Sequence, residues 1–215
     1  MPTLILNRLK ASLRQETLFW EQFNPSGFLR HLRNSSRARH WCRNWIQNSL
    51  GIQSIVEVGV GGLNERIALH AFLLRRRDVT YVGYDCSTRF IENAKRIFPR
   101  ERWVVSDVQT APPDSADLVY SQHVLEHCAG LCPALSNMLS SARRYFLNIF
   151  FIPLGESDSI DFSKYPLYEN SYARDHVEAV CRYHGFRCEF RHFDSATSAN
   201  APLQETVLLA TRSLA

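Results

Sequence analysis

Between Ser54 and Leu63 a β-branched apolar run, Ser54-Ile55-Val56-Glu57-Val58, breaks into Gly59, Gly61 and Gly62 and leads into Asn64-Glu65-Arg66-Ile67-Ala68-Leu69, a good helix opening. That order dictates a strand, a tight turn and a helix. In α/β proteins such a turn lies at the carboxyl end of a parallel strand, where ligands bind. Glycine lets the backbone approach a ligand closely and adopt positive φ without steric cost. A nucleotide-like cofactor over Gly59–Gly62 is therefore the first expectation.

The rest of the chain continues the alternation. Leu4 to Phe23 reads as a helix broken by Asn24-Pro25-Ser26-Gly27. Ser35 or Ser36 can cap a second helix running to about Leu50. After the Ser54–Val60 strand, Glu65–Leu74 reads as helix, Val79–Tyr84 as strand and Thr88–Phe98 as helix, with Ser87 as cap and Pro99 as stop. Trp103–Ser106 and Asp117–Ser121 are the third and fourth strands. Helical pattern follows over His123–Cys128 and from Pro133 to about Ala142. Arg144–Phe151 is a fifth strand, Ala173–His184 a helix, and Arg187–Phe193 and Glu205–Thr211 two final strands. Alternation predicts a Rossmann-like, doubly wound seven-strand sheet, mostly parallel. The last two strands have no helix between them and should form an antiparallel hairpin. Two units are expected: an N-terminal helical leader or lid over residues 1–50, and the main domain over 51–215.

Composition narrows the class. The apolar content of 45% suits a globular chain. No apolar run reaches the roughly 18 residues needed to span a bilayer. The N-terminus lacks the continuous apolar core and cleavage site of a secretory signal, so a docked amphipathic helix is favoured over a targeting segment and the expected location is cytoplasmic. Its six cysteines are spread along the chain and read as reduced thiols. The net charge of +4 is uneven: residues 1–50 hold eight Lys or Arg against Glu16 and Glu21, and the remainder carries −2. That leader can be a solvated helix face or can meet an anionic partner.

Chemistry-bearing residues recur at the strand ends. Glu57 and the glycines close the first strand, Asp85 follows the second, Asp107 the third and Ser121-Gln122-His123 the fourth. Ends of parallel strands share one edge, so these groups converge. The set suits an adenosine ligand. Asp85 can accept both ribose hydroxyls, Glu57 can take an ammonium or a bound water, and Asp107 with neighbouring amides can read an adenine edge.

At this point the residues resemble a family. Val56-Glu57-Val58-Gly59-Val60-Gly61, Tyr84-Asp85, Ser106-Asp107 and Asp117-Leu118-Val119-Tyr120-Ser121-Gln122-His123-Val124-Leu125-Glu126-His127 are similar to class I S-adenosylmethionine-dependent methyltransferases, in the small-molecule branch that includes the ubiquinone-biosynthesis type. The resemblance covers residues 51–152 and implies S-adenosyl-L-methionine as cofactor. It implies contacts from Glu57, Gly59, Gly61 and Gly62 at the first turn, from Asp85 and Cys86 (backbone only) at the second, from Asp107 and Val108 at the third, and from Ser121, Gln122 and His123 at the fourth. Two departures stand out: the third glycine is Gly62, where the family usually places it at the position of Leu63, and the acid is Glu57 where Asp is commoner. A nicotinamide dehydrogenase is disfavoured because Asn64 fills the slot of its third glycine.

His127 is the candidate general base, with a packing role under the cofactor as the alternative. In-line positioning can carry much of a methyl transfer, so a catalytic residue in the usual sense is not obligatory. His123, His127, Cys128 and Cys132 lack zinc-site spacing, and no metal is expected. Tyr165, Tyr168, Asn170 and Tyr172 are the candidate substrate residues, suited to a polar acceptor, with surface packing as the alternative. Trp20, Phe23 and Phe28 can lid the pocket. The expected reaction is methyl transfer to oxygen or nitrogen of a small polar acceptor. A nucleic-acid (RNA) methyltransferase docked through the leader, and a non-catalytic cofactor-binding partner subunit, are the alternatives; a homodimer is an allowed assembly.

Overall fold

The computed structural model describes residues 36–163, 167–196 and 202–213. The expected first helix, Leu4–Phe23, and the aromatic residues Trp20, Phe23 and Phe28 lie outside the described residues, as does Tyr165. Helix α1 (Arg37–Asn48) begins at Ser36, whose hydroxyl accepts from the Arg39 amide. Its Ala38, Cys42 and Ile46 recur every four residues and are fully buried, so this stripe is the face laid on the sheet. Trp41 packs on Phe193 and Trp45 meets Tyr145 edge-on. The second half of the expected leader is thus one layer of the core.

The sheet holds β1 (Ser54–Val58), β2 (Thr80–Asp85), β3 (Arg102–Val105), β4 (Ala116–Gln122), β5 (Ala142–Phe150), β6 (Phe186–Ala196) and β7 (Pro202–Arg212), in the spatial order β3-β2-β1-β4-β5-β7-β6. Strands β1 to β5 run parallel, and β7 is antiparallel to both β5 and β6. The expected seven-strand mixed sheet and its terminal hairpin are therefore present. The chain steps outward from β1 through β2 to β3 and then returns to β4. Strand order reverses between β1 and β4, which is where open α/β sheets bind ligands.

Side chains along each strand alternate between two apolar layers. Val56, Val58, Val119 and Phe146 face one side with Leu135 and Met138; Ile55, Leu118, Tyr120 and Leu147 face the other with Cys42 and Ile46. Burial of each such side chain contributes roughly 1.5–3 kcal/mol. The two layers are completed by α2 (Asn64–Ala68), α3 (His70–Arg75), α4 (Thr88–Ile97), α5 (Leu131–Ser141) and α6 (Arg174–Tyr183). Ser87 caps α4 by accepting from the Phe90 amide, as its position suggests. No helix among the described residues is long and apolar enough to cross a membrane.

Two local expectations change. The Glu65–Leu74 helix is divided at Leu69, whose ψ of 0° ends α2 while its side chain stays buried. The expected His123–Cys128 helix is absent: His123 takes φ 55°, outside the right-handed helical region, and only a 3-10 turn, Leu125–His127, follows. His123 and His127 therefore do not share a helix face.

Candidate active site

A cavity of about 690 Å³ opens at the carboxyl ends of β1 to β4, within the range of small-ligand pockets. Gly59, Gly61 and Gly62 form its floor with Asn64, and Asp85, Cys86, Asp107, Val108, Gln122, His123 and His127 line it, so the structure brings most of the predicted strand-end residues together. Gly59 has φ 78°, and a Cβ there would fall 2.3 Å from Val124 Cγ2. Gly61 has φ 43° with nothing within 4 Å of a Cβ, so its face lies open to a ligand. Leu63, at the family's usual glycine position, holds φ 63° with its side chain fully buried. The loop keeps its left-handed step there without glycine, because the buried side chain offsets the strain.

Asp85 is set by the loop it serves. Its Oδ2 accepts from the Gly61 amide and its Oδ1 from the Ser87 amide, both at 2.9 Å. These two amides fix the orientation of the carboxylate. Asp107 accepts from the Gln109 amide at 2.9 Å. Asn64 and Gln122 line the cavity with their amide oxygens turned away from it, buried and without a hydrogen-bond partner among the described residues. An open glycine face and an oriented carboxylate together fit an adenosine–amino-acid ligand.

Other predicted residues fall elsewhere. Glu57 is buried beneath the floor and does not line the cavity; its Oε2 accepts from the Tyr81 hydroxyl, and burial pushes its pKa up to about 8. Strand alternation is the reason, since Val56 and Val58 take the opposite face. Ser121 is buried, with its hydroxyl donating to Asn148 Oδ1 at 2.6 Å. Asn170 is fully buried, donating to the Cys128 carbonyl at 2.7 Å, and Tyr172 donates to the Leu125 carbonyl at 2.8 Å. Tyr168 stacks on Phe162. Asn170 and Tyr172 thus brace the wall from behind, because their polar side chains satisfy backbone groups of the Leu125–Cys128 turn.

Residues that the sequence reading passed over complete the site. Among the described residues of the Asp161–Tyr172 stretch, Glu169 lines the cavity, as Phe151 does. Glu126 is fully buried and accepts from the Phe151 amide at 2.5 Å; burial raises its pKa to about 8. It ties the end of β5 to the turn, and its place beside His127 in the quoted segment is the signal that could have found it. Arg39 of α1 lines the cavity as well. The neighbouring Arg43 grips buried Glu65 with two hydrogen bonds, Nε–Oε2 at 2.7 Å and Nη2–Oε1 at 2.6 Å, fastening α1 to α2.

Both histidines face Phe151, each ring 5.2 Å from its centroid. His127 Nδ1 donates to the Tyr168 carbonyl at 2.7 Å. His123 Nε2 lies 3.0 Å from Oε1 of Glu205, a buried β7 carboxylate. Burial lowers the His123 pKa, keeping the ring neutral near pH 7 although Glu205 favours its charged form. Burial would raise Glu205, but hydrogen bonds with His123 and Ser36 outweigh it and hold its carboxyl below the usual range. No residue within reach of His123 in the sequence predicts Glu205, which arrives from the far end of the chain.

Residues 56–146 match the protein family described as methyltransferase domain. That segment, from β1 into β5, is the part of the fold that carries the cavity, and it is similar to methyltransferase domains. No curated protein sequence matches the chain. Among solved structures, the domain is similar to magnesium protoporphyrin IX methyltransferase from Synechocystis with bound S-adenosylmethionine, at 16% identity over 92% of this chain and 97% of that one, TM-score 0.61. It is similar to a putative methyltransferase in complex with the Trm112 activator from Haloferax volcanii, at 13% identity over 93% and 98%, TM-score 0.65. It is also similar to a 1,6-didemethyltoxoflavin N1-methyltransferase from Burkholderia thailandensis, at 15% identity over 88% and 87%, TM-score 0.60. At these identities the likeness is one of fold.

Proposed function

We propose that this methyltransferase domain transfers the methyl group to oxygen or nitrogen of a small polar acceptor, with the cofactor's amino-acid end over Gly59–Gly62 and its ribose at Asp85. The observation that carries the placement is the open face of Gly61, where a Cβ would meet nothing within 4 Å, on the same cavity as Asp85 and Gln122. Gln122 would turn its amide oxygen to the ammonium, Arg39 would take the carboxylate of the amino-acid end, and Asp107 with Val108 would border the adenine. When bound, S-adenosylmethionine supplies a methyl group on a sulfonium sulfur, whose displacement needs no acid.

The acceptor would lie toward Phe151, between His123 and His127. His123 has the stronger claim to the acceptor's proton, because a buried carboxylate backs its far nitrogen and the ring is held neutral. His127, fixed by the Tyr168 carbonyl, would orient the acceptor. Charge supports a small molecule over nucleic acid. The cavity wall holds the acids Asp85, Asp107 and Glu169 against the single base Arg39 among the described residues, and a polyanion would meet repulsion there. The finer resemblance to the ubiquinone-biosynthesis branch, and the small toxoflavin precursor of the Burkholderia neighbour, are in keeping with this.

The test is calorimetric titration with S-adenosylhomocysteine, followed by transfer of labelled methyl from S-adenosylmethionine to a panel of small phenols, carboxylates and amines and to total RNA. Gln122→Leu should weaken binding about tenfold, the loss of one hydrogen bond to a charged group. Unchanged affinity would remove Gln122 from the cofactor site. Label appearing in RNA and in none of the small compounds would overturn the acceptor class.

A further inference from the structure

Outside the cavity, three side chains from separate elements meet on the surface. Cys132 stands in the first turn of α5 and is exposed. Its Sγ lies 3.3 Å from Nε2 of His176, on α6. His176 Nδ1 lies 2.6 Å from Oδ2 of Asp158, in the segment between β5 and α6. Asp158 is itself held, since its Oδ1 accepts from the Ala173 amide at 2.7 Å. Its segment is pinned on either side by backbone hydrogen bonds, from Gly155 to the Tyr172 carbonyl and between Ser159 and Ser171 in both directions.

We propose that Cys132, His176 and Asp158 form a nucleophile–base–orienter triad, a modification site at which the Cys132 sulfur takes up low-molecular-weight disulfides as mixed disulfides. The geometry specifies the tautomer. Asp158 can only accept, so Nδ1 of His176 carries the proton and Nε2 is left as acceptor toward the thiol. A thiol is a weak nucleophile until its proton is removed, and an imidazole within hydrogen-bond reach removes it. Both His176 and Asp158 are about a third exposed, so a small reagent can approach the sulfur.

The step balances. The Cys132 proton passes to His176 Nε2 as the sulfur attacks one sulfur of the disulfide. A new S–S bond forms to Cys132, the old S–S bond breaks, and the departing thiolate takes the proton back from the imidazole. The incoming disulfide is reduced by one thiol and Cys132 is oxidised to the mixed disulfide. No other co-reactant is needed.

The other described cysteines make an internal control. Cys42, Cys128 and Cys181 are buried, and Cys86 and Cys188 are partly exposed. The full chain is mixed with 5,5′-dithiobis(2-nitrobenzoate), and separately with oxidised glutathione, and the labelled thiols are located by peptide mass mapping over time. Cys132 should react at least tenfold faster than Cys86 or Cys188. Asp158→Asn keeps the acceptor for the Ala173 amide but turns a donor toward Nδ1. That forces the opposite tautomer, and should slow Cys132 at least fivefold. His176→Ala should slow it similarly, and circular dichroism with thermal melts verifies that both variants fold. Cys132 reacting no faster than Cys86 and Cys188 would overturn the proposal. So would a fast Cys132 that neither variant slows.

Discussion

Glu57 sits under the glycine turn as a buried acid whose pKa is raised to about 8 from its usual 4.5, chiefly by burial, against the hydrogen bond from Tyr81 and with Glu65 adding to the rise. A carboxyl group of this kind binds more protons in the folded chain than in the unfolded one. Stability contributed by the neutral form is present below the unfolded pKa and is lost as pH climbs toward the folded pKa. Between about pH 6.5 and about pH 8 the loss is close to the limiting 1.36 kcal/mol per unit and levels off at the top, giving roughly 1.5 kcal/mol for this one group. Glu57→Gln removes the titration while keeping an oxygen for the Tyr81 hydroxyl. Urea unfolding of both proteins across that window should show the wild type losing about 1.5 kcal/mol more than the variant. Glu126, also raised to about 8, titrates in both and cancels in the difference, as does His123. Parallel stability profiles for the two proteins would refute a neutral, buried Glu57 and return it to the role of a charged ligand.

Three further outcomes follow from the same geometry. Asp85→Ala should weaken S-adenosylhomocysteine binding by roughly 1.5–3 kcal/mol by calorimetry, the loss of charge-assisted hydrogen bonds, and unchanged affinity would take Asp85 out of the ribose role. Gly59→Ala meets Val124 at 2.3 Å as well as positive-φ strain, whereas Gly61→Ala meets strain alone; the first should lower unfolding stability by ~2 kcal/mol more than the second in the same urea assay. Tyr172→Phe should cost ~1–2 kcal/mol of stability for the orphaned Leu125 carbonyl and leave cofactor affinity unchanged; a selective loss of acceptor turnover instead would restore Tyr172 to a substrate role.

The strand-and-turn skeleton was legible because each strand ended on a chemically marked residue. Asp85, Asp107 and Gln122 follow apolar runs whose length and order already imply a shared edge, and the structure places them on one wall. Glu57 falls outside the cavity lining because sequence position gives distance along a strand, while facing is fixed by alternation: Val56 and Val58 claim the other side. Asn170 and Tyr172 turn away from the cavity for a different reason. Tyr172 and Asn170 look like recognition residues by type, yet their hydrogen bonds run to carbonyls of Leu125 and Cys128 that a linear reading cannot bring near. Arg39 lies before the motif-bearing span and reaches the cavity through helix docking, while Glu205 lies after it and reaches His123 through the pairing of β7 with β5, so no spacing announces them.

The left-handed backbone at residue 123 has a consequence for how such a site can diversify. At φ 55°, side chains with a branched β-carbon are strongly disfavoured, and asparagine, aspartate, histidine and glycine are the residues favoured at the position. The chemical alphabet available there is therefore short, and most of it is polar. A lineage changing its acceptor would find that position nearly fixed in kind, a choice among a few hydrogen-bonding groups. Phe151 and Glu169, carried by ordinary backbone on the same wall, offer the wider vocabulary. Changes of acceptor among relatives of this chain should be written mainly at those two residues, with position 123 holding the chemistry steady.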